Sequence, residues 1–125
     1  MRSYCKIFVR SQHQLKDLCQ ILVAELEPTE LVQPSSTYYL DTQELSLAMF
    51  NNKEYDPQKI EDPLDGFLFY PIILDVEPAS AREIYEMDIS EKERYLSSVL
   101  HLVQALKKMS LSVVPACDFE DALKA

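Results

Sequence analysis

Residues 90–121 read SEKERYLSSVLHLVQALKKMSLSVVPACDFED, the clearest periodic pattern in the chain. Apolar residues recur in its first part at intervals of three and four, which places them on one stripe of an amphipathic helix. Ser90 and Glu93 have the spacing of a capping box at the start of this helix. Residues 111–114 are typical of a buried strand that ends at Pro115. A helix with one apolar stripe must cover an apolar surface, so the rest of the chain should supply a sheet.

A strand and a second amphipathic helix precede this unit. Residues 4–10 alternate in hydrophobicity, which predicts a strand with one buried side. Ser11 and Gln14 again have capping-box spacing, and the apolar residues after them recur at helical intervals. This helix should end at residue 27, because Pro28 restricts the residue before it and has no backbone donor.

The middle of the chain reads mainly as strands. Residues 37–50 indicate a hairpin, although its second arm is also rich in residues that favour a helix. Residues 51–66 are irregular and acidic, and they end at Gly66, the only glycine, which we expect at a positive-φ turn or a bulge. Residues 67–77 form the longest strand candidate. Because Pro71 lies inside it, we expect an edge position or a bulge there.

The predicted element order is therefore β-α-β-β-β-α-β, with residues 29–36 as a connector. A length of 125 residues suits one domain, spanning residues 1–125, with its own core. Two amphipathic helices on one face of a mostly antiparallel sheet predict a two-layer α+β sandwich. We expect a ferredoxin-like arrangement that carries one additional hairpin strand.

The chain is strongly acidic, with 21 acidic and 12 basic residues and a formal net charge of −9. This charge disfavours binding to nucleic acid or to anionic membranes, and it favours a basic partner if the partner is a protein. No apolar run approaches the roughly 20 residues that span a bilayer, and the first residues lack the apolar segment of a signal peptide. We expect a cytoplasmic protein, with which three cysteines lacking a CxxC pair agree.

The sequence contains no recognisable catalytic, cofactor or metal motif. A single glycine cannot build a glycine-rich phosphate loop, and neither His13 nor His101 has a second ligand at zinc spacing. We therefore expect no enzyme activity, no cofactor and no metal ion. Cys5 and Cys19 should be buried as small apolar residues. Carboxylates near Cys117 would raise the pKa of its thiol, which argues against a reactive thiolate.

Two groups of acidic residues are candidates for function. Asp75 and Glu77 share the polar face of the long strand candidate. Asp118, Glu120 and Asp121 follow the last strand. If the two strands were neighbours, these carboxylates would converge and could bind a hard cation or act as acid and base. A solvated acidic rim and a surface complementary to a basic protein are the other two interpretations.

Aromatic residues are the second candidate feature. Helices on one face of the sheet leave the other face to Phe8, Phe67 and Phe69, which we expect to be partly exposed. An exposed apolar patch usually indicates a partner, which includes a second copy of the chain. Alternatively, residues 51–66 cover this face.

The segment GFLFYP at residues 66–71, the capped helix and the segment VVPACDFED at residues 113–121 resemble a group of small bacterial immunity proteins from polymorphic-toxin systems. The resemblance covers roughly the second half of the chain. It implies a cytoplasmic protein that binds and neutralises a cognate toxin, and it supplies no catalytic residues. The acidic composition fits a basic toxin, such as a nuclease.

The leading hypothesis is thus a non-enzymatic protein-binding module. Two alternatives stay open: a small ferredoxin-like enzyme or ligand-binding domain that uses the carboxylates around Asp75 and Asp118, and a structural homodimer. The candidate contact surface combines acidic residues with aromatic anchors. It consists of Tyr55, Asp62, Asp65, Phe67, Phe69, Asp75, Glu77, Asp118, Glu120 and Asp121.

Overall fold

The computed structural model describes residues 2–33, 36–58 and 70–123. Within these residues the fold is α+β, with a six-stranded antiparallel sheet and two α-helices. The helices are α1 (Leu15–Leu26) and α2 (Ile89–Lys108), and short 3₁₀ turns occur at Ile84–Glu86 and Glu120–Leu123. The strands are β1 (Cys5–Arg10), β2 (Glu30–Val32), β3 (Tyr38–Asp41), β4 (Leu45–Asn51), β5 (Ile72–Pro78) and β6 (Ser112–Ala116).

The strand order across the sheet is β2-β3-β4-β5-β1-β6. Strands β2 to β5 form a meander, and β1 lies between β5 and β6. The predicted ferredoxin-like arrangement is not matched, because the sheet has six strands in this order. The prediction of a plain connector at residues 29–36 was also wrong, since Glu30–Val32 pairs with β3.

Strand β5 occupies a central position, between β4 and β1. The expected edge position was wrong, because Pro71 precedes the strand and does not interrupt it. Strand β6, in contrast, does contain its proline. It was predicted to end at Pro115, but it continues through this residue, which lies opposite Ile7, to Ala116. An edge strand tolerates a proline, since one side of its backbone needs no ladder partner. The predicted hairpin of β3 and β4 is confirmed by their antiparallel pairing.

Helix α2 begins earlier than its capping-box pattern predicted. Asp88 is the N-cap, and its carboxylate accepts a hydrogen bond of 2.7 Å from the backbone N–H of Glu91. Ser90 lies inside the helix, where its hydroxyl accepts a hydrogen bond from Arg94 Nη1. The Ser90–Glu93 capping box was therefore wrong, since an aspartate two residues earlier satisfies the first turn.

Helix α1 begins at Leu15, without a side-chain cap from Gln14. The expected capping box of Ser11 and Gln14 was wrong, because the Ser11 hydroxyl accepts a hydrogen bond from the His13 backbone instead. The helix ends at Leu26, and Glu27 then adopts a left-handed conformation. The predicted end before Pro28 is confirmed.

Both helices pack on the same face of the sheet and share one apolar core with it. This confirms the two-layer architecture. Each fully buried aliphatic side chain in the layer contributes about 1.5 to 3 kcal/mol. The predicted core positions of Phe119, just before the last 3₁₀ turn, and of Leu123, within it, are also confirmed. Fully buried members of the core include Leu18 and Leu22 of α1, Val99, Leu102 and Leu106 of α2, and Ile7, Leu47, Leu74 and Val76 of the sheet.

A smaller apolar cluster lies on the other face of the sheet and consists of Phe8, Tyr70 and Ile73. The ring of Tyr70 meets the ring of Phe8 edge to face, with centroids 6.4 Å apart. Phe8 is consequently only 7% exposed. The expectation that it is partly exposed was wrong, because Tyr70 packs against it.

Candidate functional site

The sheet face opposite the two helices, here called the second face, is ordered into rows. Directly opposite residues of antiparallel strands project to the same side, so each row runs across several strands. Successive rows on one face are about 7 Å apart along the strands. The first row is apolar and follows the register Phe50, Ile73, Phe8 and Val114.

The middle row crosses all six strands and is chemically mixed. Asp75 and Lys6 are directly opposite each other near its centre. Tyr39, with 45% of its surface exposed, presents an aromatic ring toward the β2 end of the row. The row reads Val32, Tyr39, Ala48, Asp75, Lys6 and Ala116.

The third row, here called the acidic row, consists of Glu30, Asp41, Ser46 and Glu77 on strands β2 to β5. Ser46 Oγ donates a hydrogen bond of 2.9 Å to Asp41 Oδ1. Glu30 lies directly opposite Asp41. Like charges in directly opposite positions destabilise a sheet. The acidic row therefore concentrates negative charge on this part of the second face.

Asp75 occupies the most constrained position on the second face, at the centre of β5. Its side chain is half-buried, and Lys6 Nζ lies 4.0 Å from Oδ1. Among the described residues no group donates a hydrogen bond to Oδ1. Burial raises the pKa of Asp75, and the positive charge of Lys6 counters part of this effect. Oδ1 itself is buried, so only the exposed third of this side chain can be approached from outside.

An open groove of about 1050 Å³ runs along the second face over strands β3 to β5. Tyr39 and Ala48 line it together with Asp75 and Glu77. Because Glu77 of the acidic row, Asp75 and the ring of Tyr39 border the same groove, an inserted basic side chain would meet carboxylates at its tip and apolar surface along its stem.

Of the predicted site residues, Asp75 and Glu77 do lie together on one face. Asp118 lies at the same end of the sheet as Glu77, but β1 separates β5 from β6. Its Oδ2 accepts a hydrogen bond of 2.7 Å from the backbone N–H of Arg2. The predicted convergence of the two acidic groups is therefore not observed, because their strands are not neighbours.

Of the remaining candidates that the structure describes, none lines this groove. Tyr55, 41% exposed, borders a separate cavity of about 690 Å³ beside Arg10 and Ser112. Six strand steps separate Ser112 from Asp118, which amounts to about 20 Å. Asp121 is exposed on the last 3₁₀ turn, and the structure describes only the backbone of Glu120. Four further candidates lie outside the described residues: Asp62, Asp65, Phe67 and Phe69.

Three residues of the second face were not among the candidates: Glu30, Tyr39 and Asp41. Alternation about the buried Leu40 would have placed Tyr39 and Asp41 on the polar face of β3. Glu30 had no such signal, since β2 has only three residues and all of them are exposed.

The described residues contain no group of three His, Cys, Asp or Glu side chains that could hold a metal ion. In the same parts of the chain, no helix is both long enough and apolar enough to cross a bilayer.

Comparison with known proteins gives no relative: no protein-family model matches the chain, and no curated protein or solved structure matches it significantly. The charge and shape of the second face are therefore the features from which a function can be argued.

Proposed function

We propose that this chain is a non-enzymatic protein-binding module, an immunity protein that neutralises a cognate basic toxin in the cytoplasm. The observation that carries the proposal is the acidic row, together with Asp75, on a sheet face that neither helix covers. The resemblance of residues 66–71 and 113–121 to bacterial immunity proteins points in the same direction.

The carboxylates of the second face are incompletely neutralised by the described residues around them. Lys6 is the only cation opposite these acids in the described strand register, and its distance of 4.0 Å to Asp75 makes a weak ion pair. A partner's lysine or arginine side chains would supply the missing positive charges to the exposed carboxylates of this face. Complementary potentials also speed the encounter of two proteins, which suits the capture of a toxin.

Tyr39 supplies the apolar part of the proposed contact. Tyrosine buries a large area at a small entropic cost and keeps a polar tip, which makes it a frequent interface anchor. Its position beside the acidic row allows the stem of a basic side chain to pack on the ring while the charged end reaches the carboxylates.

The test uses the protein encoded by the reading frame next to this one. That protein is expressed in a bacterial host with or without the present chain, and growth is followed. We expect growth arrest without the chain and rescue with it. The triple variant Asp41→Asn, Asp75→Asn, Glu77→Gln should weaken the dissociation constant, measured by calorimetry, by about 10-fold or more and reduce rescue.

A matched control removes three charges from the helix layer: Asp17→Asn, Glu25→Gln and Glu93→Gln. Both triple variants have the same net charge, so equal weakening would indicate an effect of total charge alone. Equal weakening, or full rescue by the second-face variant, would contradict the proposed surface. A neighbouring protein that neither arrests growth nor binds would contradict the immunity function.

A structural homodimer is the second candidate, and one specific observation favours it. The edge strand β2 exposes Leu31 (49%) and Val32 (44%). An exposed apolar edge can pair with another copy of the same strand. The charge of −9 on each copy opposes this association at low salt. Sedimentation velocity at low and high salt tests it, and a monomer under both conditions would exclude the homodimer.

The enzyme alternative has less geometric support. Asp75 lies on β5 and Asp118 follows β6, and β1 separates these two strands. Asp118 is already bonded to the backbone of Arg2. A carboxylate pair acting as acid and base must reach one substrate atom within hydrogen-bond distance. Within the described residues these two groups are not arranged in that way.

A further inference from the structure

Two cysteines far apart in sequence meet at one end of the sheet. The pairing of β1 with β6 ends at Lys6 and Ala116, so the next residues outward, Cys5 and Cys117, are opposite each other. Their Sγ atoms are 2.7 Å apart, closer than the sum of two sulfur van der Waals radii. Directly opposite residues of an antiparallel pair have the Cα spacing that a disulfide requires.

The two thiols point into the same layer but differ in accessibility. Cys5 is fully buried and belongs to the main core, whereas Cys117 packs against that core and remains half-exposed. Cys117 is therefore the more accessible of the two residues to a dissolved oxidant. Cys19, the third cysteine, is buried on α1 and offers an internal comparison.

The backbone on both sides of the pair is held in place. Arg2 N–H donates to the carboxylate of Asp118, one residue beyond Cys117. The backbone N–H of Ser3 donates to Glu83 Oε2, and the Tyr95 hydroxyl donates to the carbonyl of Ser3. These bonds hold both chain segments while the two sulfurs lie 2.7 Å apart, so a bridge requires little backbone movement. The need for a large backbone movement is the usual obstacle to a disulfide.

We propose that Cys5 and Cys117 form an oxidation-sensitive dithiol that closes to an intramolecular disulfide upon reaction with a low-molecular-weight disulfide such as oxidised glutathione. Cys117 is selected by its exposure and its closeness to Cys5, and not by an unusually reactive thiolate. Its thiolate form attacks one sulfur of the oxidant, forms a mixed disulfide and expels one glutathione thiolate. The Cys5 thiolate then attacks the Cys117 sulfur and expels the second. The two protons lost by the cysteines protonate the released thiolates, and the oxidant takes up two electrons.

This inference is independent of the proposed function, since Cys5 and Cys117 lie on the sheet face that the helices cover and not on the second face. The bridge would join residues near the two ends of the described chain. A covalent link across so long a loop restricts the unfolded ensemble, so the oxidised chain should be the more stable form.

The experiment incubates the folded chain with oxidised glutathione and follows it by intact mass, thiol titration in denaturant and peptide mapping. We expect the loss of two hydrogen atoms, one remaining thiol and a peptide that links Cys5 to Cys117. Thermal unfolding should occur at a higher temperature than in the reduced chain, and a reductant should reverse the shift.

The control variants separate the proposed pair from other chemistry. Cys19→Ser should oxidise like the original chain and leave no free thiol. Cys117→Ser, at a half-exposed position, should fold but lose both the bridge and the thermal shift. Stable glutathione addition at Cys117 without closure, a bridge that contains Cys19, or no reaction at either cysteine would overturn the proposal.

Discussion

Among the residues that the structure describes, three that carry a Cβ atom adopt left-handed backbone angles: Glu27 (φ 48°), Ala81 (φ 60°) and Ser110 (φ 62°). This conformation places Cβ near the following carbonyl oxygen and costs roughly 1 to 2 kcal/mol in a residue other than glycine. The only glycine, Gly66, was expected at a positive-φ turn, but it lies outside the described residues. None of the three positive-φ positions named above is a glycine, so a search for glycine could not have located them.

Replacement of Ser110 by glycine should stabilise the protein. Ser110 follows α2, and its N–H donates to the carbonyl of Lys107. Ser110→Gly removes the left-handed penalty but adds chain entropy to the unfolded state, which leaves a net gain of about 0.5 to 1 kcal/mol. Chemical denaturation measures this change. Ser97→Gly, at an exposed position inside α2, is the control and should destabilise by roughly 0.5 kcal/mol.

Asp75 should make stability decrease as the pH rises from acid toward neutrality. Its pKa in the folded state is raised above the ordinary value of 3.8 by burial, so the folded state holds the proton more tightly than the unfolded state. That contribution favours folding below the ordinary pKa and is lost as the pH rises through the raised value.

Asp75→Asn removes this contribution to stability and so tests whether it decreases as the pH rises. At neutral pH the variant should unfold at a temperature equal to or above that of the original chain, and its advantage should disappear below the ordinary pKa of the carboxyl. Melting curves from about pH 3 to pH 7 measure the difference. Glu93→Gln, an exposed change on α2, serves as the reference. The expected pH dependence is contradicted if the melting temperature of the variant, relative to that of the original chain, is lower at neutral pH than in acid.

Sequence alternation was sufficient for some single residues and insufficient for others. It placed Asp75 and Glu77 on one side of β5 because neighbouring residues of a strand face opposite ways. It failed for Phe8, whose burial depends on contact with Tyr70, more than sixty positions later in the chain. Alternation predicts the face of the sheet to which a side chain points. Its exposure also depends on which distant residues pack against that face, as Tyr70 does against Phe8.

At the scale of elements, the N-cap of α2 gives a direct test. Asp88 accepts the bond from Glu91 N–H, while Ser90, the residue that the capping-box spacing favoured, is bonded to Arg94. Asp88→Ala should therefore cost about 1 kcal/mol of stability. Ser90→Ala should change stability by less than about 0.5 kcal/mol, since it is exposed and alanine favours helix. A larger loss from Ser90→Ala than from Asp88→Ala in urea denaturation would contradict this cap assignment.

The elements could be predicted where periodicity was long and could not where it was short. Helices α1 and α2 each repeat their apolar pattern over several turns, so their existence was clear and only their first residues were misplaced. The three residues of β2 cannot establish a period of two. For β4, residues with helical propensity form a strand because pairing with β3 and β5 outweighs that preference.

At the scale of the molecule, the strand order depends on where β1 inserts. The sequence predicted two helices over one sheet, but the order β2-β3-β4-β5-β1-β6 depends on contacts between distant segments. The acidic row exists only because β2 continues the meander and brings Glu30 beside Asp41. The sequence therefore predicted Asp75 and Glu77 as candidate residues but missed the residues that β2 and β3 contribute.

The net charge of −9 should make stability depend on salt. Repulsion among carboxylates acts over about 30 Å at 0.01 M salt and about 8 Å at 0.15 M. Adding sodium chloride across this range should therefore raise the melting temperature, by roughly 3 to 5 °C if about 1 kcal/mol of repulsion is screened. Potassium chloride is the control and should act equally. A fall in melting temperature with either salt would show that attractive ion pairs dominate.

The position of β1 beside β6 also determines how the molecule resists a pulling force. The segments around Arg2 and Asp118 are bonded together at one end of this strand pair. Tension applied through these two segments acts along the hydrogen bonds of the ladder, which run perpendicular to the strands, and loads one bond at a time. We therefore expect the pair to separate from Lys6 and Ala116 toward Arg10 and Ser112, and to yield at a low force in this direction.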